Sequence, residues 1–240
     1  MDTQKYAQGF IERQRGAYEQ VNGSLIDIAE SAKRDFVQQL EKKYSNPPLG
    51  IWLDNSITIQ GRPGGIKSST SLARKLEEKF SDANEVFWNY VRSDDISQAD
   101  SIVTQTVRDI VGLEVRLPCG RFVEDFAKLI SEAARTRTSL APETPDATGA
   151  KSSGYRGQNI KIRVGVLSGE IQVKTHLTKA WDYYSHDLFY KKEIIDEITH
   201  QRLGGRLSTL STLLSVCEEL SDEVIAELLD RFGNKSSLLG

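Results

Sequence analysis

Apolar residues recur every three or four positions in the first clearly patterned segment of the chain. The residues on this apolar stripe are Leu25, Ile28, Ala29, Ala32, Phe36 and Leu40. The spacing predicts an amphipathic helix that begins with Ser24 as its N-cap and ends at Asn46-Pro47-Pro48. Residues 1–22 are polar and show only a weak helical pattern. Ile51 to Ile59 is predicted to be extended, because its last residues alternate between apolar and polar.

The middle of the chain alternates between helical and extended patterns. A helix is predicted from Ser71 to Phe80, and the aromatic residues within 81–100 predict another. Alternating apolar and charged residues predict a strand from Leu113 to Leu117, which ends at Pro118-Cys119-Gly120. A helix is then predicted from Phe122 to about Arg135.

Residues 138–153 are mostly small and polar with two prolines, which predicts a loop without regular structure. A strand is predicted from Asn159 to Val166. The C-terminal part predicts a long helix over Ile194 to Leu220, which Gly204-Gly205 could kink, and a shorter helix over residues 221–232.

The most informative pattern begins at Glu170. From there to Thr175 the residues alternate, which predicts a strand with one apolar and one polar face. The polar face carries Glu170, Gln172 and Lys174. A solvated face is the simpler interpretation of such a strand, and the lining of a binding site is the other. The next segment is predicted to be helical and carries Trp181, His186, Tyr190 and Lys191.

Composition excludes several classes of protein. The chain has 240 residues, a net charge of −3 and 38% hydrophobic residues, which is typical of a globular protein without a general affinity for nucleic acid. Its two cysteines, Cys119 and Cys217, are far apart, so a disulfide framework or structural zinc site is not expected. Three histidines are too few for a histidine metal cluster. No stretch is apolar enough to span a membrane and the N-terminus lacks an apolar signal, so we expect a cytoplasmic protein without membrane contact.

A glycine-rich, basic segment runs from Gly61 to Ser69 and leads into a predicted helix. Backbone amides of such a turn and the helix dipole both favour an anion, and Arg62, Lys67 and Ser68 add side-chain donors. The segment is not a P-loop, because Ile66 stands where that motif has glycine before its lysine. A plain turn with solvated charges is the alternative.

A second basic segment extends from Lys151 to Arg163 and contains no acidic residue. Tyr155 lies among these cations, a combination suited to stacking on a base while neutralising phosphate. A basic edge strand that resists aggregation is the alternative interpretation.

Two carboxylates lie at the predicted starts of separate strands, Asp109 and Glu170. Two carboxylates from neighbouring strands can bind Mg²⁺ and leave coordination positions for phosphates. Together with cations on both flanks, they predict a site for phosphoryl or pyrophosphoryl transfer.

Five motifs occur in an order that resembles the synthetase domain of the RelA/SpoT family, which makes the alarmone (p)ppGpp. In chain order they are GRPGGIKSS from Gly61, RDIVGLEVR from Arg108, GYR from Gly154, EIQVKT from Glu170, and AW at Ala180 with HDLFYK from His186. They resemble the family's GRxKS, DxxGxR, GYRSxH, EIQIRT and W…EHxxxYK elements. The resemblance covers residues 57–220.

The resemblance implies an α+β fold, a mixed β-sheet flanked by helices and related to nucleotidyltransferases. It implies one synthetase domain over residues 1–240, with an N-terminal helical part (1–50), a catalytic core (51–192) and C-terminal helices (193–233). The implied enzyme transfers the β,γ-pyrophosphate of ATP to the 3′-hydroxyl of GDP or GTP.

The resemblance also assigns roles to individual residues. Asp109 and Glu170 would be catalytic and bind Mg²⁺, and Glu170 could take the proton of the attacking hydroxyl. Residues expected to bind the donor ATP are Arg62, Lys67 and Ser68, joined by Arg116 or Arg121. Residues expected to bind the acceptor are Lys151, Tyr155, Arg156, Gln172, Lys174 and His186.

Several positions depart from the family motifs. The arginine of DxxGxR is Glu114 here, so Arg116 or Arg121 is the candidate to replace it. Gly157 and Asn159 stand for the serine and histidine of GYRSxH, and four residues separate Arg62 from Lys67. Lys174 replaces an arginine, which keeps the charge but not the planar fork.

These departures leave other functions open. A toxin-type pyrophosphokinase could modify adenine nucleotides or the 3′-CCA end of tRNA, and the basic residues from Lys151 to Arg163 favour that reading. A degenerate domain that only senses nucleotides is a further alternative. The resemblance also suggests self-association, and an antitoxin or immunity protein as a partner.

Overall fold

A five-stranded mixed sheet, covered on one face by a 42-residue helix, is the centre of the computed structural model. The structure describes residues 2–44, 47–80, 85–137, 140–142, 157–183 and 197–235. The helices are α1 (Thr3–Tyr44), α2 (Pro47–Ser56), α3 (Ser69–Lys79), α4 (Glu85–Arg92), α5 (Ile96–Thr106), α6 (Val123–Arg135), α7 (His176–Asp182) and α8 (Glu197–Lys235). The strands are β1 (Thr58–Ile66), β2 (Val111–Leu117), β3 (Leu140–Pro142), β4 (Gln158–Val164) and β5 (Leu167–Thr175).

The strand order is β1-β2-β5-β4-β3. The central pair β2–β5 is parallel, and the other three pairs are antiparallel. The register pairs Gly112 with Glu170 and Arg116 with Lys174, so the polar residues of β2 and β5 lie on the same face. The predicted class, an α+β fold with a mixed sheet flanked by helices, is confirmed.

The opposite face of the sheet is apolar and packs against α1. Its central residues Leu113, Val115, Ile171 and Val173 are fully buried. Gly169 lies on this face where α1 comes closest, since a Cβ there would be 2.7 Å from Leu25 Cδ1. Because α1 covers this face so closely, only the opposite, polar face of the sheet is left to form a binding site.

The N-terminal helix is longer than predicted. Ser24 is not an N-cap but lies inside α1, where its hydroxyl donates to the carbonyl of Gln20 at 3.1 Å. Residues 3–22 are helical because Tyr6, Phe10 and Tyr18 are buried against the rest of the fold, which outweighs their weak local pattern.

Two predictions between α1 and α3 are wrong in detail. Residues 51–56 are helical rather than extended, because Leu49 and Leu53 lie one turn apart in α2 and both are buried. The glycine-rich segment is not a separate turn but continues β1 to Ile66 through a bulge after Gly61. Gly64 and Gly65 have φ values of +75° and +73°, a conformation that glycine adopts readily.

The second half of the sheet also differs from the prediction. Strand β5 begins at Leu167, so Glu170 is its fourth residue rather than its first. Strand β3 lies inside the segment predicted to be a loop. The C-terminal helix α8 is continuous for 39 residues, because Ile225 and Leu229 extend its buried side beyond the predicted break at residue 221. Across the described ranges, no helix combines the length and apolar character that crossing a membrane requires.

Candidate active site

The polar face of β5 is buried rather than solvated. Glu170 and Lys174 are 7% and 2% exposed, although both are charged residues. The cost of burying charge is offset only when each group has partners, so the polar residues on this face form a network. The solvated face that a strand of this pattern usually presents is therefore not what the structure shows.

A chain of hydrogen bonds runs along β5. The Gln172 amide donates through Nε2 to Glu170 Oε1 at 2.6 Å, and its Oε1 accepts from Lys174 Nζ at 3.2 Å. An ammonium can only donate, so Lys174 fixes which end of the amide faces Glu170. Glu170 is thereby held as a hydrogen-bond acceptor.

Lys174 is enclosed by two carboxylates. Its Nζ lies 2.7 Å from Glu114 Oε2 and 2.6 Å from Asp182 Oδ2. Glu114 also accepts from Arg116 Nε at 2.5 Å and from Lys179 Nζ at 3.1 Å. Burial alone would raise the pKa of Glu114, but the charge of Lys174 and hydrogen bonds from the three cations lower it to about 2.

A cluster of cations surrounds Asp109, just before β2. Lys67 Nζ lies 2.8 Å from Asp109 Oδ2, Lys75 Nζ lies 2.5 Å from Oδ1, and Arg62 Nη1 donates to the Asp109 carbonyl at 2.8 Å. Burial would raise the pKa of the Asp109 carboxyl, but Lys67 and Lys75 hold it well below its usual range. Burial, with the nearby charges of Lys75 and Arg62, lowers the pKa of Lys67. Lys67 and Lys75 share the Asp109 carboxylate, and Arg62 contacts only the backbone carbonyl, so the cluster has an excess of positive charge.

Gly112 brings the cation cluster and Glu170 together. It is the register partner of Glu170 on the neighbouring strand. A Cβ at Gly112 would lie 2.5 Å from Nε of Arg62, so the guanidinium crosses the sheet face at this glycine. Arg62 therefore lies beside Glu170 and also contacts the Asp109 backbone.

Local backbone structure positions the predicted donor residues. The Lys67 amide donates to the Ile110 carbonyl at 2.8 Å, which ties the end of β1 to the start of β2. Ser68 is the N-cap of α3, and its Oγ accepts from the Ser71 amide at 3.3 Å. Arg62 and Lys67 thus both contact Asp109, and Ser68 follows Lys67 as the cap of α3.

The other two predicted donor residues lie farther along β2. Arg116 also donates to Gln60 Oε1 at 2.6 Å, so it spans the polar face of β1 and β2. Arg121 follows the end of β2, and its amide donates to Asp222 Oδ1 of α8 at 3.2 Å. A seven-residue strand extends over about 20 Å, so the structure does not bring Arg121 to Asp109.

Four predicted acceptor residues, Lys151, Tyr155, Arg156 and His186, lie outside the described residues. Of the other two, Gln172 reaches the polar face beside Glu170 and is partly buried. Lys174 is enclosed in its ion pairs, a placement that suits support of the site better than direct contact with an acceptor.

Sequence reasoning missed four residues of the site: Lys75, Lys161, Lys179 and Asp182. Lys179 and Asp182 are three apart on α7, and this spacing places their side chains on one helix face. Lys161 is the register partner of Glu170 in β4, which only the strand pairing reveals. Lys75 follows Ser71 by one helical turn, but nothing in the sequence relates it to Asp109.

The donor chemistry of the site suits Mg²⁺ more than a fully protein-bound metal. No group of three or more histidine, cysteine or acidic side chains placed to hold a metal occurs within the described ranges. Mg²⁺ characteristically takes one or two carboxylates and completes its shell with water and substrate phosphates. Asp109 and Glu170 are the carboxylates of this face that could serve such an ion, and both oxygens of Asp109 are paired with lysines in the structure.

A separate cleft of about 600 Å³ lies between α1, α5 and the turn that joins β4 to β5. Its one buried carboxylate, Asp100, accepts from Tyr6 at 2.8 Å and from Arg13 at 2.9 and 2.7 Å. These bonds tie α1 to α5, so we assign Asp100 a structural role.

Comparisons with known proteins agree on the fold. No family model and no curated protein matches the chain. Among solved structures, a GTP pyrophosphokinase family protein from Streptococcus pneumoniae aligns with a TM-score of 0.60 and 16% identity, covering 94% of this chain and 96% of that one. Small alarmone synthetase 1 from Bacillus subtilis, bound to its product pppGpp, aligns with a TM-score of 0.56 and 19% identity, covering 92% of this chain and 96% of that one.

The same Bacillus protein bound to AMPCPP aligns with a TM-score of 0.54 and 20% identity, covering 91% of this chain and 97% of that one. At such low identities these alignments establish the fold. The fold implied by the sequence resemblance is therefore confirmed over nearly the whole chain.

Proposed function

We propose that the protein is an ATP-dependent pyrophosphokinase that transfers the β,γ-pyrophosphate of ATP to the 3′-hydroxyl of a purine nucleotide, most simply GDP or GTP. The observation that carries this proposal is the position of Arg62 over Gly112, which brings the cluster of cations next to the buried Glu170. The shared fold with a GTP pyrophosphokinase family protein and with a synthetase that binds AMPCPP and pppGpp supports it.

The cation cluster is the proposed site for the ATP phosphates. Arg62, Lys67 and Lys75 converge within hydrogen-bonding distance of Asp109, and one carboxylate cannot neutralise all three. A triphosphate would supply the missing negative charge, and the planar guanidinium of Arg62 is suited to binding two phosphate oxygens.

Asp109 and Glu170 are the residues that would hold Mg²⁺ in this proposal. The ion would neutralise phosphate charge and make the β-phosphorus more electrophilic. When ATP occupies the cluster, its phosphates compete with Asp109 for Lys67 and Lys75, which frees a carboxylate oxygen. The Asp109 carboxylate would then be available to bind Mg²⁺ when the phosphates are bound.

Glu170 is the proposed general base. The 3′-hydroxyl oxygen of the acceptor forms a bond to the β-phosphorus of ATP, and the bond from that phosphorus to the α,β-bridging oxygen breaks. AMP leaves with the bridging oxygen, and Glu170 takes the proton of the hydroxyl. Glu170 receives a hydrogen bond from Gln172 at one oxygen, so its other oxygen is available to accept that proton.

The acceptor is proposed to lie on the β4 side of Glu170. Lys161 is paired in register with Glu170 and has no ion-pair partner within the described ranges, so it can meet an acceptor phosphate. Lys151, Tyr155, Arg156 and His186 keep their proposed acceptor roles from the sequence.

The direct test is transfer of label from γ-labelled ATP in the presence of Mg²⁺. The acceptors to compare are GDP, GTP, ADP, ATP and tRNA. We expect label in a guanosine nucleotide with release of equimolar AMP. Glu170→Gln and Asp109→Asn should each lower the rate by about 100-fold or more, since each removes a group needed in the transition state.

Glu219→Gln on the exposed side of α8 is the matched control and should leave the rate unchanged. Label in tRNA or adenine nucleotides alone would contradict the guanosine acceptor but would still support pyrophosphokinase activity. Nucleotide binding without transfer to any acceptor would contradict the enzyme and favour a sensor.

A further inference from the structure

We propose that Lys174 is a positioning residue that orients Glu170 through the side-chain amide of Gln172. The inference rests on the proposed role of Glu170 as general base. The hydrogen bonds run in one direction, from Lys174 Nζ to Gln172 Oε1 and from Gln172 Nε2 to Glu170 Oε1. Lys174 does not touch the reacting atoms in this proposal, and it acts only through its neighbour.

The directionality follows from the donors and acceptors involved. A glutamine amide can present either its oxygen or its NH₂ group to a neighbour, and rotation by half a turn exchanges the two. The Lys174 ammonium can only donate and the Glu170 carboxylate can only accept, so together they select the orientation in which the amide oxygen faces Lys174. The NH₂ group is then turned to Glu170 at 2.6 Å and holds that carboxylate in one orientation.

The ammonium is itself held in place. Lys174 is 2% exposed, and its Nζ lies within 2.7 Å of both Glu114 and Asp182. Those carboxylates come from β2 and α7, so the ammonium is fixed by elements on two sides of β5. A lysine with that many acceptors cannot swing out toward solvent, which makes it a rigid reference for the amide.

This arrangement also gives Glu114 a role. The resemblance implies an arginine at this position, but an arginine would place a like charge against the buried ammonium. Glu114 instead accepts from Lys174 on one side and from Arg116 and Lys179 on the others. The departure from the family motif therefore compensates the charge of Lys174.

The test uses a charge-balanced variant so that the fold is retained. Lys174→Met together with Asp182→Asn removes one positive and one negative charge, while Glu114 keeps Arg116 and Lys179. We expect kcat to fall by about 10- to 100-fold with KM for both nucleotides within about threefold, the pattern for an interaction used only in the transition state. Gln172→Met should give the same fall.

Combining the changes is the decisive step. If Lys174 acts only through Gln172, then adding Gln172→Met to the Lys174→Met/Asp182→Asn protein should lower kcat no further, because coupled residues are not additive. Asp182→Asn alone and Lys174→Arg, which keeps the donors, should lose much less. Independent, multiplicative losses would overturn the proposal.

A second measurement does not depend on catalysis. The side-chain NH₂ signals of Gln172 in an NMR spectrum are identified by their absence in Gln172→Met, and their protection from solvent exchange is then compared. Protection should be lost in the Lys174→Met/Asp182→Asn protein, while thermal unfolding confirms that the protein is folded. Unchanged protection would overturn the relay. If the wild-type protein transfers no label but protection still depends on Lys174, the proposed function fails and the positioning stands.

Discussion

Glu114 shows how one residue on the polar face links stability to pH. Its carboxyl is held by Lys174, Arg116 and Lys179. Burial raises the pKa of this carboxyl, but these cations lower it to about 2. A carboxyl whose pKa is lower in the folded protein than in the unfolded chain is protonated at a lower pH in the folded protein than in the unfolded chain. The stability it contributes is therefore complete above about pH 4.5, the ordinary range of a glutamate, and is lost as the pH falls toward 2.

We predict that Glu114→Gln lowers the free energy of unfolding at pH 7 by about 1 to 3 kcal/mol, because the buried cations lose a charged partner. Between pH 5 and about pH 2 the difference from wild type should shrink, as protonation removes the same charge from the wild-type protein. Urea unfolding of both proteins at several pH values measures this difference in the free energy of unfolding. Glu77→Gln, an exposed site on α3, is the control, and a difference that stays constant with pH would contradict the prediction.

Gly112 is the second residue whose identity the site requires. Any side chain there meets the guanidinium of Arg62, since a Cβ would lie 2.5 Å from Nε and 2.9 Å from Cζ. The head of Arg62 is flexible enough to move aside, so Gly112→Ala should fold. The displaced guanidinium would no longer lie beside Glu170.

We expect Gly112→Ala to lower kcat/KM for ATP by about 10- to 100-fold, the usual scale for misplacing a phosphate-binding group. The measurement is initial rate against ATP concentration, with far-ultraviolet circular dichroism to show the fold. Gly23→Ala in α1 is the matched control, because a Cβ there has nothing within 4 Å. That change should leave the rate alone and stabilise the helix by up to about 1 kcal/mol. A Gly112→Ala protein as active as the control would refute this role for the glycine.

At the scale of elements, α8 is attached to the end of β5 by the buried carboxylate of Glu218. Glu218 accepts from the hydroxyl of Thr178 at 2.7 Å and from that of Thr175, the last residue of β5. The same side of α8 carries the buried Ile225 and Leu229. The helix is therefore anchored by one polar and one apolar contact region along its length.

Glu218→Ala leaves two buried hydroxyls without their acceptor, so we predict a loss of about 1 to 3 kcal/mol in the free energy of unfolding. Glu219→Ala, one residue along on the exposed side, should cost less than about 0.5 kcal/mol. Chemical denaturation of both proteins measures the difference. Equal effects would mean that the Glu218 contacts contribute nothing to the stability of the fold.

The elements that the sequence predicts well are those with a strong local pattern. The alternation after Leu113 and Glu170 identified both strands of the central parallel pair. Residues 3–22 and 51–56 were misjudged because their helices depend on burial of a few separated residues, such as Phe10 and Leu53. Such contacts with distant segments have no local signature.

The candidate site shows the same limit. Asp109, Glu170 and Lys67 were proposed from the sequence because they lie in segments that resemble the motifs of the family. Lys75 was missed, since its partner Asp109 lies 34 residues away and only the folded structure brings the two side chains together. The ion pairs of Lys174 were missed for the same reason, because β2 and α7 supply its carboxylates.

For the molecule as a whole, charge bears on whether a large RNA could serve as the acceptor in the proposed reaction. The net charge is −3, so no overall field attracts a polyanion. Many cations of the polar face already pair with carboxylates, as Lys67 and Lys174 do. Three cations of the polar face have no ion pair within the described ranges: Arg62, Lys161 and Arg163.

If tRNA is bound through these three cations of the described ranges alone, its binding should show a shallow salt dependence. Each phosphate contact contributes about −0.9 to the slope of log K against log salt, so three contacts give about −3. Raising the salt from 50 to 200 mM should then weaken tRNA binding by less than about 100-fold, whereas six or more contacts would cost about 1,000-fold or more. Equilibrium binding of labelled tRNA and of GDP over this range makes the comparison, with an Arg163→Gln/Lys161→Gln protein to reduce the slope. A slope of −6 or steeper would reveal a broad RNA surface, and the acceptor would then have to be sought at the 3′ end of tRNA.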